Sequence, residues 1–61
     1  MIRIEIETEN AAFEGSACPE VARILEMLAK CIGDEYDRLT EFDGMALLDF
    51  NGNTVGKVTV E

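Results

Sequence analysis

Val21, Ile24, Leu25, Leu28, Cys31 and Ile32 recur at offsets of three, four, seven, ten and eleven, which draws one apolar stripe along a helix of several turns. A stripe of that kind must be buried against another element, and the chain has 61 residues in which to do it. The cover comes from two further patterns. From Met1 to Thr8 the residues alternate, with Ile2, Ile4 and Ile6 pointing one way and Arg3, Glu5 and Glu7 the other, the period of a strand with one wet face. Near the C-terminus, Met45 to Phe50 and Thr54 to Val60 flank Asn51-Gly52, a strong hairpin signal. A two-residue turn and a type I turn with a bulge at Gly52 would send different residues inward, so the register stays open. Leu48, Val58 and Val60 are the expected core members. The element order is β-α-β-β: an α+β fold with one helix packed on a three-stranded, mainly antiparallel sheet. Residues 1–61 form a single domain.

The helix is expected to begin near Ser16, a good N-cap, with Pro19 in the first turn where its missing N–H is harmless. Gly33 is the expected C-terminal stop. Glu20, Arg23, Glu26 and Lys30 fall largely off the apolar stripe, with Glu26 and Lys30 at the spacing of a favourable pair. Asn10 to Gly15 reads as a connection that tucks Phe13 under the helix. Asp34 to Gly44 reads as a loop with one helical turn, longer than connections in small domains usually are.

A chain of this size buries only about 60% of its unfolded surface and leaves on the order of 4,000 Å² exposed. Its functional surface is therefore expected on the outside rather than in a carved pocket. Charge then dominates. Thirteen Asp and Glu stand against five Lys and Arg, with no His, for a net −8. Such a field repels nucleic acid and anionic membranes and attracts basic surfaces. Keeping a small protein soluble is the plainer role for the same charge.

Catalysis has little to build on. Without His there is no ordinary general base near neutral pH and no Ser-His or Cys-His pair, so no catalytic residue is assigned. Cys18 lies near a helix N-terminus, but no basic partner accompanies it. Cys18 and Cys31, thirteen residues apart on one helix, stand about 20 Å from each other, too far for a disulfide. Two free thiols suit a reducing cytoplasm, and the N-terminus has no apolar core of a signal peptide. Two distant cysteines rule out a structural zinc site. Asp49-Phe50-Asn51-Gly52-Asn53 resembles the first half of a calcium loop. Thr54 and Val60 nevertheless stand where such a loop needs Gly and Glu, and Asp49 is expected to bond turn N–H groups instead. No metal or cofactor is expected.

The acidic stretch remains. Asp34, Glu35, Asp37, Glu41 and Asp43 sit among Tyr36, Leu39 and Phe42, with Arg38 the one cation. Together with Glu5 and Glu7 on the open sheet face, these carboxylates are candidates to stand in for DNA phosphates in a basic groove. Tyr36 is the candidate apolar anchor among them, although closing the end of the core is the plainer role for the aromatics.

Three blocks, Asn10-Ala11-Ala12-Phe13-Glu14, Glu20-Val21-Ala22-Arg23-Ile24-Leu25 and Asp49-Phe50-Asn51-Gly52-Asn53-Thr54-Val55-Gly56, together resemble a group of short phage- and prophage-encoded proteins of unassigned function. The resemblance covers most of the chain and implies a mobile-element origin. The chain departs from that group at Gly15 to Pro19 and after Gly33. By size and acidity it also resembles anti-CRISPR inhibitors, some of which mimic DNA. The expected partner is then the basic DNA-binding surface of a host complex such as a CRISPR effector, met in the bacterial cytoplasm by a monomer. Neither direct nucleic-acid binding nor membrane binding is expected. A phage structural or assembly role through open strand edges, and neutralisation of a basic toxin, are the alternatives.

Overall fold

The C-terminal hairpin sets the faces of the sheet. In a computed structural model describing all 61 residues, β2 (Ala46–Leu48) and β3 (Thr54–Val60) are joined by Asp49 to Asn53. The Gly52 N–H donates to the Asp49 carbonyl at 3.0 Å, and the Asp49 N–H donates to the Asn53 carbonyl at 2.9 Å. Gly52 takes φ of 84°, a left-handed conformation that a side chain disfavours. The turn is thus the alternative closed by a bulged Gly52. Pairing is also irregular between Leu47 and Leu48. A one-residue irregularity turns a strand's side chains over, and here it puts Leu47 inward and leaves Leu48 48% exposed. The expectation of Leu48 in the core is corrected to Leu47. Val58 is fully buried as expected, and Val60 is half-buried.

β1 (Ile2–Ile6) pairs with β3, giving the order β1-β3-β2, antiparallel throughout. Ile4 stands opposite Val58 and Ile2 opposite Val60, so the isoleucines share the core face. The helix α1 (Cys18–Glu35) covers that face and buries Ile24 and Leu28, but it packs against β2 and the Ala11–Phe13 segment more than against β1. Ile2 and Ile4 consequently remain 45% and 43% exposed. The alternation gave the faces correctly, while the cover over the first strand is incomplete. A 3₁₀ turn at Ala11–Phe13 brings Phe13 into the core as expected, and a second at Leu39–Phe42 brings in Phe42.

Both helix ends differ from expectation. Ala17, not Ser16, is the N-cap residue, and no side chain caps the first turn. Cys18 and Pro19 at its start are exposed, so water reaches the Cys18 N–H, and Pro19 carries none. Gly33 does not stop the helix. The apolar stripe runs on from Leu28 through Ile32 to Tyr36, all packed on the core, and the chain turns extended only at Tyr36. Burial of that continued face outweighs the weak helix propensity of one glycine. Glu26 and Lys30 do not form an ion pair; the two pairs in the molecule are Arg3–Glu61 at 3.4 Å and Arg23–Glu20 at 2.7 Å.

Candidate functional site

The two ends of the molecule hold their charge in opposite ways. At the hairpin end, Glu20 and Asp49 are the only buried charged residues, and both are fully bonded. Asp49 accepts the N–H groups of Asn51 and Asn53 at 2.8 and 2.9 Å and the Asn10 side-chain amide at 2.8 Å. Its expected bonds to the turn are present. Asn10 in turn caps the Ala11–Phe13 turn through the Ala12 N–H. Glu20, placed by α1 against the turn, accepts two bonds from the Arg23 guanidinium at 2.7 and 2.9 Å and one from the Phe50 N–H at 2.9 Å. Arg23 also donates to the Leu48 carbonyl at 3.1 Å. Helix, N-terminal connection and hairpin are thereby tied by charge-assisted bonds.

Both carboxylates are held below their ordinary range. For Glu20 the Arg23 guanidinium is the main cause, opposed in part by loss of water and assisted by Phe50. For Asp49 loss of water pulls upward, and the N–H donors of Asn53, Asn10 and Asn51 together outweigh it. Sequence reasoning placed Glu20 and Arg23 off the apolar stripe and gave them no role. The signal was available in the three sequence blocks, because Asn10, Glu20 with Arg23, and Asp49 with Phe50 are drawn one from each and meet here.

The opposite end is the reverse case. Asp34 and Glu35 are not in a loop but in the last turn of α1, which has no basic residue. A helix C-terminus already carries partial negative charge, so two carboxylates there repel it. Asp37, Glu41 and Asp43 follow, all exposed, and none of the five makes an ion pair. Two of them are nevertheless engaged. Glu41 accepts the Asp37 N–H at 3.2 Å, and Asp43 accepts the Val60 N–H at 2.8 Å, pinning the segment to β3. Tyr36 is half-buried, with its ring centroid 5.9 Å from that of Phe42, so it closes the core more than it offers a free anchor.

Glu5 and Glu7 do not join that group. Glu5 stands opposite Lys57 on the face away from the helix, and Glu7 lies further toward the hairpin, its N–H bonded to Val55. Asp43 is tied to Val60, three residues along β3 from Lys57, or about 10 Å. Of the seven candidate acids, five follow one another from the last turn of α1 to Asp43, and Glu5 and Glu7 are a separate pair on the N-terminal strand segment.

Nothing in the molecule encloses a small molecule. The larger of two hollows, about 230 Å³ and open to solvent, lies among Met27, Lys30, Cys31, Asp34 and Glu35. An apolar groove of about 140 Å³ runs between Leu28 and Cys31 of α1 and Met45 and Leu47 beside it; both fall below the usual few hundred Å³ of a ligand site. No three Asp, Glu or Cys side chains gather as a metal site requires. Cys18 and Cys31 are free thiols, and no helix is long and apolar enough to cross a membrane. No protein-family model, curated protein or solved structure matches the chain.

Proposed function

We propose that the protein is a binding module that presents its acidic end to a basic, DNA-holding surface of a host complex and inhibits that complex by occupying the place of DNA phosphates. One observation carries the reading. Asp34, Glu35, Asp37 and Glu41 crowd the negative end of a helix without a single ion pair, an arrangement unfavourable to the fold itself. Local rules broken in this way mark sites kept for function. The resemblance of the three sequence blocks to phage-encoded proteins supports a mobile-element origin, and small size with strong acidity supports an inhibitor of anti-CRISPR type, working without catalysis in the bacterial cytoplasm.

Magnitudes limit what such mimicry can do. The molecule measures 36 × 20 × 18 Å, and DNA of that length carries on the order of 20 phosphates. A net charge of −8 therefore replaces a short stretch of backbone at most. Inhibition is stoichiometric, and each exposed pair contributes only about 0–1 kcal/mol.

The test is competition with a labelled DNA duplex for a purified CRISPR effector complex. Changing Asp34, Glu35, Asp37 and Glu41 together to Asn or Gln should abolish competition, while any single change should leave it nearly intact. Asp43 is spared because it holds β3. Full competition by the neutral variant would defeat the phosphate-mimic reading. Failure of the native protein to compete would defeat the CRISPR assignment. A pull-down from host lysate at low and high salt would then seek another basic partner.

A further inference from the structure

The two edges of the sheet are guarded unequally. β2 is three residues long with irregular pairing, features that discourage further strand addition. β1 is five residues, regularly paired, and carries neither Pro nor Lys. Its bonding to β3 has a definite parity. The Glu7 N–H donates to the Val55 carbonyl, and the Glu61 N–H donates to the Met1 carbonyl, so the odd-numbered residues of β1 bond inward. In an antiparallel ladder the alternate residues then point the other way. The N–H and C=O groups of Ile2, Ile4 and Ile6 all face the open edge, beside the side chains of Ile2 and Ile4, which stay exposed, while that of Ile6 packs on the core.

The geometry points to a second copy of this chain as the partner of that edge, joined β1 to β1 in antiparallel fashion about a two-fold axis through Ile4. The parity allows several registers, and charge chooses among them. With Ile4 opposite its own copy, Ile2 meets Ile6, and Arg3 meets Glu5 on the wet face twice over. Sliding the copies to the adjacent allowed register on either side puts Arg3 against Arg3 or Glu5 against Glu5. A parallel arrangement in register stacks like on like. Opposite charges directly across strands attract and like charges repel, so only the centred register is favourable throughout. It closes about six main-chain hydrogen bonds and aligns the isoleucines of both copies on one face of a six-stranded sheet, a self-complementary contact that cannot grow further. The contact is small and the copies each carry −8, so the dimer is weak and forms best where salt screens the long-range repulsion. This proposal departs from the expected monomer and is independent of the proposed target.

Sedimentation velocity over a concentration series reaching about 1 mM, at roughly 0.15 M salt where the screening length is near 8 Å, tests it. The native protein should show a concentration-dependent monomer–dimer equilibrium. Arg3→Glu and Glu5→Arg are exposed changes, and each alone should weaken association roughly tenfold by setting like charges across the dyad. An equimolar mixture of the two variants should form heterodimer at native affinity or better, read by native mass spectrometry. Ile4→Pro removes an edge-facing N–H together with an isoleucine side chain that is already 43% exposed, and should give a folded, somewhat less stable monomer by circular dichroism. A native protein that stays monomeric throughout, single variants that pair like the native chain, or a mixture without preference for heterodimer would each overturn the assignment.

Discussion

Gly56 lies in the middle of the central strand, where glycine is ordinarily a weakness. Replacing it by Ala in an unhindered strand should stabilise by about 0.5–1 kcal/mol through backbone entropy alone. Here the opposite is expected. A Cβ at Gly56 would stand 1.8 Å from the Glu5 carbonyl oxygen, 2.8 Å from its carbon and 3.1 Å from the Ile6 Cα, all of them backbone atoms. Restoring a separation of 3.0 Å requires β1 to move by at least 1.2 Å (3.0 − 1.8). A ladder bond of about 2.9 Å stretched that far is lost, and the bonds nearest Gly56, including Glu7 to Val55, go first. Two or three such bonds at about 1 kcal/mol each give a loss near 3 kcal/mol. A domain of this length has only about 3–9 kcal/mol in total. The midpoint of thermal unfolding should fall by roughly 12–24 °C, followed by circular dichroism and checked by urea unfolding for a lower midpoint at unchanged slope. If Gly56→Ala were neutral or stabilising, the close approach of the first and third strands would be wrong, and the sheet order with it.

Leu47→Ala should cost about 2–5 kcal/mol and Leu48→Ala a small fraction of that, a contrast in urea midpoints that reports directly on the irregular pairing in β2. Acid should loosen the hairpin end. Glu20 and Asp49 have folded-state pKa values depressed below their ordinary 4.5 and 3.8, so their contribution is complete above those values and is lost as pH falls through the depressed ones. Thermal melts from pH 7 down to about 2 should show this decline, and Asp49→Asn should start less stable and decline less. An unchanged acid profile in that variant would remove Asp49 from the account.

Much of the fold was readable because its signals are periodic. The alternation of Ile2, Ile4 and Ile6, the stripe from Val21 to Ile32 and Asn51-Gly52 each specify an element, and their order leaves few arrangements. What escaped was decided by contacts between elements. Leu47 and Leu48 are chemically equivalent, and only the one-residue irregularity distinguishes them. Gly33 ends helices when nothing beyond it needs burying, but Ile32 and Tyr36 continue the core face past it. The acidic cluster was legible as composition, while its division from Glu5 and Glu7 depended on which side of the sheet and which end of α1 each acid occupies. Glu20 and Arg23 looked like solvated helix charges because the Leu48 carbonyl that Arg23 reaches and the Phe50 N–H that Glu20 accepts are 25 and 30 residues away.

The polar staple and the acidic end make sense as one arrangement. The core has only eight buried apolar residues, too few to fix how helix and hairpin meet by packing alone. Directional bonds from Glu20, Arg23, Asp49 and Asn10 supply that orientation at one end, and they tolerate no substitution that leaves a buried partner unbonded. Because the geometry is secured there, the far end can carry Asp34, Glu35, Asp37 and Glu41 against the helix dipole without deciding whether the chain folds. Substitutions should therefore divide by end: those at the staple lower stability and leave partner preference alone, and those that neutralise the acidic end change partner binding while raising the melting midpoint slightly, because repulsion from the helix dipole is relieved. A staple variant that stayed as stable as the native chain yet altered binding would show that the two ends are not separable in this way.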